Sequence, residues 1–167
     1  MIDTSATAIN QKPAILRLIN QYLSDVLYAS KDDILDYGSG PYDHVIDYFK
    51  PMEIRVWNFD PFHFDTAHSA LLQRMLETKP ADMCICSNVL NVLKDIEIEY
   101  ALRVIDEWTI STGPKCFTVY EGNKSSKGKI TSKGYQRNMQ TSAYLPYLRK
   151  QFGKNVQQFG KLLVANG

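Results

Sequence analysis

The chain has 167 residues, 44% of them hydrophobic and 22% charged, which fits one globular domain and excludes disordered, collagen-like and low-complexity chains. No apolar run nears the ~20 residues of a membrane span, and the start MIDTSATAINQKP lacks the basic opening and apolar stretch of a signal peptide. The net charge of +1 hides a segregation: residues 1–114 carry 9 Lys+Arg against 17 Asp+Glu, and residues 115–167 carry 10 against the single acid Glu121.

Apolar spacing marks the helices in chain order. Ile15, Leu16, Leu18, Ile19, Tyr22, Leu23, Val26 and Leu27 follow Pro13 at helical spacing, giving a helical segment within residues 1–30. Val45, Ile46 and Phe49 predict a short helix ending before Pro51. Ala67, Ala70, Leu71, Met75 and Leu76 predict another. Ile98, Ala101, Leu102, Ile105 and Trp108 predict a longer one that ends near Thr112. The last lies near 141–152, where Pro146 either kinks it or delays its start.

Short apolar runs between them read as strands: 33–37, 54–59, 82–86, 116–120 and 162–165. Strands alternating with helices predict a three-layer α/β domain over residues 1–167, with a mostly parallel sheet of five to six strands. Such sheets bind ligands beyond the carboxyl ends of their strands, so the residues after each strand are the first candidates.

The first strand runs into Asp36, Gly38, Ser39 and Gly40. Paired glycines allow a tight turn and close approach of a ligand to the backbone. The second strand ends at Phe59, and Asp60 follows it, with Pro61 and Phe62 next. An acid there either accepts the hydroxyls of a ribose or caps the turn before Pro61.

The segments ILDYGSG, FDP and ADMCICSNVLNVL resemble, in order and spacing, three motifs of the class I S-adenosylmethionine-dependent methyltransferases, over roughly residues 30–120 plus the terminal strand. The closest likeness is to small enzymes of phage and DNA-modification gene clusters. The resemblance implies a Rossmann-like fold, S-adenosylmethionine as cofactor and S-adenosylhomocysteine as product. It implies that Asp36, Gly38, Ser39 and Gly40 shape the pocket for the methionine part, that Asp60 binds the ribose, and that Phe59, Pro61 and Phe62 flank the adenine. Ser87 and Asn88, at the tip of the third strand, would face the sulfonium and the acceptor. Two departures accompany it: Tyr42 stands where the family has its third glycine, crowding or covering the amino-acid end of the cofactor, and the family's usual third strand is absent.

The acceptor is read from the basic third of the chain. The loop 122–134, GNKSSKGKITSKG, opens at the ligand-binding edge. Lys124, Lys127, Lys129, Lys133 and Arg137 would form a cationic lid, with Tyr135, Tyr144 and Tyr147 as stacking faces, a composition suited to a nucleic acid. The alternative is a solvated loop followed by tyrosines that pack the last helix. Glu121 could orient a cofactor amine, act as a general base, or pair with Lys124. His44 either contacts cofactor or acceptor or lies on a helix surface. Cys84, Cys86 and Cys116 read as buried core residues, without a disulfide framework and in keeping with a reducing, cytoplasmic setting. No histidine or cysteine spacing suggests a metal site. A methyltransferase acting on a small metabolite or a protein, and an inactive cofactor- or nucleic-acid-binding subunit, are the alternatives.

Overall fold

The computed structural model describes residues 12–27, 33–61, 63–132 and 134–166. Six strands form one sheet in the order β2-β1-β3-β4-β8-β7. Strands β1 (Asp33–Tyr37), β2 (Arg55–Phe59), β3 (Met83–Ser87) and β4 (Lys115–Thr118) run parallel. Strand β8 (Leu162–Ala165) is antiparallel to β4, and β7 (Val156–Phe159) is antiparallel to β8. Beyond β2 the sheet has no further strand among the described residues, so the expected lack of a third strand is what the fold shows.

Helices cover both faces. On one side α1 (Ala14–Tyr22) and α3 (His44–Phe49) pack against Ile34, Met83, Ile85, Cys116 and Val164. On the other, α4 (Thr66–Thr78), α5 (Asp95–Glu107) and α6 (Leu145–Phe152) pack against Leu35, Cys84, Cys86, Phe117 and Leu163. Central strands covered on both faces are buried along their length: β1, β4 and β8 are buried at every position, the polar Asp33, Asp36, Lys115 and Thr118 included. Cys84 and Cys86 share a face and all three cysteines are buried and unpaired, as the sequence suggested.

Several boundaries differ from the sequence reading. The first helix breaks at Leu23 and a short α2 (Ser24–Leu27) follows; the remainder of the 1–30 expectation lies outside the described residues. Pro146 does delay the last helix: residues 141–144 form a 3-10 turn, and Pro146 sits in the first turn of α6. In α4 the buried residues are Leu72 and Leu76, whereas Ala67, Ala70, Leu71 and Met75 are exposed. That helix lies at the margin of the sheet, with less structure to cover it than its composition anticipates. Strand β7 and the hairpin of β5 (Lys129–Thr131) with β6 (Gly134–Gln136) have too little apolar periodicity to be seen in the sequence.

Two buried charges fix the amino-terminal ends of the strands. Lys115 is 1% exposed, and its Nζ donates to the carbonyls of Ile110, Ser111 and Gly113 at 3.1, 3.3 and 3.2 Å. Asp33 accepts from Arg55 Nε at 2.6 Å, Lys79 Nζ at 2.6 Å and Trp57 Nε1 at 3.0 Å. Burial alone would raise its pKa, but these donors outweigh it and hold the carboxyl below the ordinary value of 3.8. The contribution is therefore complete above that ordinary value and is lost as pH falls through the lower folded value. Asp33→Asn should cost about 1–2 kcal/mol at neutral pH, both cations being largely exposed. In urea unfolding the gap to the parent protein should shrink as pH falls below the ordinary value of 3.8 and close once the folded carboxyl is protonated; a gap that stays constant with falling pH counts against this account.

Candidate functional site

Because β1 to β4 run parallel, the turns that follow them share one edge of the sheet, and the antiparallel β8 brings the Gly160–Lys161 turn to the same edge. The turn after β1 is tied to the end of β2: Gly38 and Ser39 donate to the carbonyl of Phe59 at 2.6 and 3.3 Å. Gly40 donates to Asp60 Oδ2 at 2.9 Å. Gly38 and Gly40 have φ of +78° and +69°, a region costly for residues with a Cβ. They differ in surroundings. A Cβ on Gly38 would overlap Val89 Cγ2 in the turn after β3, whereas one on Gly40 would meet nothing within 4 Å.

Asp36 is 3% exposed, and its carboxyl makes no hydrogen bond or ion pair within the described residues. Burial, together with the nearby Asp60 carboxylate, pushes its pKa up to about 7. Asp60 is buried too, with Oδ1 3.2 Å from His63 Nδ1. The carbonyl of Asp60 accepts from the amides of His63 and Phe64, so the residue both faces the glycine turn and closes the turn after β2.

At the tip of β3, Ser87 Oγ lies 3.2 Å from Thr118 Oγ1. Asn88 is exposed, has φ of +58°, and donates its amide to the Thr118 carbonyl at 2.8 Å. Tyr42 and His44 are half-buried with ring centroids 5.4 Å apart, beside the glycine turn in sequence. His44 Nε2 is buried with no hydrogen-bond partner. Pro61 is exposed. Phe62 and Lys133 lie outside the described residues.

Other expected site residues are occupied elsewhere. The ring of Phe59 packs on Tyr37 and Trp108 in the α4–α5 layer. There it helps line a groove of about 470 Å³ between those helices, whose lining includes neither Ser87 nor Asn88. Arg137 is engaged by the protein itself. Its guanidinium donates to the Leu93 carbonyl at 3.1 Å and to Tyr147 Oη at 2.9 Å, and it pairs with Asp95 at 2.8 Å. Tyr144 is fully buried in the core, and Tyr147, whose hydroxyl bonds Arg137 and Asp95, carries the Arg137 guanidinium 5.5 Å from its ring centroid. Tyr135 is half-buried within the β5–β6 hairpin, opposite Ile130.

Glu121 takes the third of its three sequence readings. Its Oε1 accepts from the amide and hydroxyl of Thr141 at 2.9 and 3.0 Å, and its Oε2 pairs with Lys124 at 3.2 Å and Lys161 at 3.5 Å. The Thr141 amide bond first, with the Thr141 hydroxyl and Lys124 adding to it, brings its pKa down to about 2. A carboxylate that weakly basic is poorly matched to proton abstraction near neutral pH.

The residue that sequence reading passed over is Asn91, 2% exposed. Its side chain accepts from the Tyr120 amide and donates to Gln136, both at 3.3 Å, and its carbonyl accepts from the Arg137 amide at 2.8 Å. Asn138 adds a bond from Nδ2 to the Lys127 carbonyl at 3.2 Å. The basic segment is thereby a braced hairpin instead of a loose lid. Lys127 and Lys129 remain exposed on it, without an ion pair among the described residues, beside Ile130 and Tyr120 at 73% and 62% exposure. Asn91 lies inside the quoted SNVLNVL run, but nothing in its spacing announces a bracing role.

No protein-family model and no curated protein matches the sequence. Solved structures do match the fold. The glycopeptide N-methyltransferase MtfA superposes with a TM-score of 0.56 at 9% identity, over 93% of this chain and 95% of that one. The 1,6-didemethyltoxoflavin-N1-methyltransferase of Burkholderia thailandensis, bound to 1,6-didemethyltoxoflavin and S-adenosylhomocysteine, gives 0.62 at 16% identity, over 91% and 76%. Human N-acetylserotonin methyltransferase, in complex with S-adenosylmethionine, gives 0.57 at 12% identity, over 96% of this chain and 60% of its own length. The chain has the Rossmann-like fold of class I methyltransferases.

The glycine turn supplies a direct check on this geometry. Gly40→Ala should cost about 1–2 kcal/mol, the penalty of a Cβ in a left-handed conformation. Gly38→Ala should cost clearly more, because the overlap with Val89 adds to that penalty. Equal losses in urea unfolding would contradict the placement of Val89.

Proposed function

We propose that the protein is an S-adenosylmethionine-dependent methyltransferase. The observation that carries this reading is the buried Asp36 carboxyl, free of protein partners among the described residues, behind a glycine turn whose Gly40 faces open space. A carboxyl so placed suits a cationic ligand group, and the cofactor has one in its α-ammonium. Asp36 and the backbone of Gly38, Ser39 and Gly40 would hold the methionine part, with Tyr42 over that end. Asp60 would take the ribose, and Pro61 would border the adenine. The cofactor supplies an electrophilic methyl group on a sulfonium. Ser87 and Asn88, at the tip of β3, orient the acceptor toward it, and the bracing of their turn by Thr118 holds the alignment on which such a displacement depends.

The acceptor side is the hairpin. Exposed Lys127 and Lys129 favour an anionic acceptor, with nucleic acid the first class to screen. A small-molecule acceptor is the second reading. It is favoured by the two fold neighbours named for didemethyltoxoflavin and N-acetylserotonin, and by the internal pairing of Lys124 and Arg137, which removes two of the cations counted toward a phosphate site.

Calorimetric titration with S-adenosylhomocysteine tests the cofactor. Asp36, pushed up to about 7 in the free protein, must lose its proton to attract the α-ammonium. Affinity should therefore fall as pH drops below 7, by up to about tenfold per pH unit, with proton release into the buffer. Asp36→Asn should weaken binding at pH 8 and abolish the pH dependence. Absence of binding at any pH would refute the reading.

Replacing Lys127 and Lys129 together by Gln should leave S-adenosylhomocysteine affinity unchanged. It should also reduce binding of a single-stranded oligonucleotide and flatten its salt dependence. An unaltered salt slope would turn the search to small molecules.

A further inference from the structure

On the face of the sheet that α1 and α3 cover, the ends of β1 and β2 carry two polar side chains beside an apolar layer. Ile34 and Val56 pack with Met83, Ile85 and Val164 on that face. Side chains two residues apart on a strand share a face, so Asp36 and Asn58 follow Ile34 and Val56 onto it. The register pairs Asp36 with Asn58 side by side. Both are at least nine-tenths buried, with exposures of 3% and 9%.

Each holds an acceptor that the protein itself does not use. The Asp36 carboxyl makes no hydrogen bond or ion pair among the described residues. The Oδ1 of Asn58 is buried without a partner. Turning the Asn58 amide over does not mend this. Its Nδ2 donates at 3.3 Å to Oδ1 of Asp43, the residue before α3. The reverse orientation would set two acceptors against each other. Buried acceptors are rarely left unpaired, and two side by side suit a donor that arrives from outside.

We infer that Asn58 is a specificity residue of the proposed cofactor site, its Oδ1 and the Asp36 carboxylate together receiving N–H groups of the ligand's α-ammonium. This rests on the methyltransferase reading and adds to it. A primary ammonium carries three N–H donors and no acceptor, so a single carboxylate leaves it under-satisfied. A second carboxylate at position 58 would add repulsion to a site that already holds Asp36 and Asp60. The amide oxygen supplies the acceptor without the charge. A ligand lacking the amine would leave both oxygens buried and unpaired, and the site discriminates against it on that account.

Calorimetric titration of the whole protein at pH 8 tests this with two ligands: S-adenosylhomocysteine, and its analogue with hydrogen in place of the α-amino group. The parent should bind the analogue about tenfold or more weakly. Asn58→Leu keeps the shape of the side chain and removes the oxygen. It should weaken S-adenosylhomocysteine about tenfold and leave the analogue within about twofold, because the analogue brings nothing for Oδ1 to accept. Asn58→Ala adds no bulk and should give the same selective loss. Unchanged affinity for S-adenosylhomocysteine in both variants overturns the inference. So does an equal loss for both ligands in both variants, which makes Asn58 a structural residue, or a parent that binds the analogue as tightly as S-adenosylhomocysteine. These three outcomes leave the cofactor reading standing, whereas a parent that binds neither ligand overturns that reading and this inference together.

Discussion

The hydrogen bonds from Gly38 and Ser39 to the Phe59 carbonyl carry the β1–β2 ladder past the ends of both strands. Everything at the candidate site depends on this continuation. It forces the chain through two left-handed residues, brings the Gly40 amide to the Asp60 carboxylate, and leaves Asp36 enclosed behind the turn. Burial of Asp36, and second the neighbouring Asp60 carboxylate, raise its pKa. Strand pairing and the closeness of Val89 to Gly38 hold the turn over Asp36. A cation arriving there lowers that pKa again.

A second set of constraints holds the acceptor side. Thr118, Asn91 and Arg137 bind the turn after β3 to the chain that follows β4. Of the groups that look like a cationic lid in the sequence, Arg137 and Tyr147 are taken up in this brace, Lys124 pairs with Glu121 and Tyr144 is buried in the core. Among the described residues, Lys127, Lys129, Ile130 and Tyr120 stay exposed there, the lysines without an ion pair. The same economy appears at Glu121, whose two lysine partners and Thr141 leave it a strongly acidic structural group.

The margin at β2 shows how a shortened sheet changes the neighbouring helix. With no strand beyond β2 among the described residues, the apolar residues of α4 divide between a buried pair and an exposed flank.

The sequence by itself determined the layer architecture. Periods of two and 3.6 residues, and glycines after an apolar run, are local signals, and local sterics impose them whatever the rest of the chain does. It also pointed to Asp36, Gly38, Gly40, Asp60, Ser87 and Asn88, because a parallel sheet places the residues after its strands at one edge. Tertiary structure alone decided which charges are free. Arg137 and Lys127 are both cations in a basic segment, yet one is buried against Asp95, Leu93 and Tyr147 and the other is exposed to solvent. Their difference rests on partners 42 to 44 residues away for Asp95 and Leu93. Burial, ion pairing and pKa depend on such distant neighbours, and spacing along the chain does not encode them.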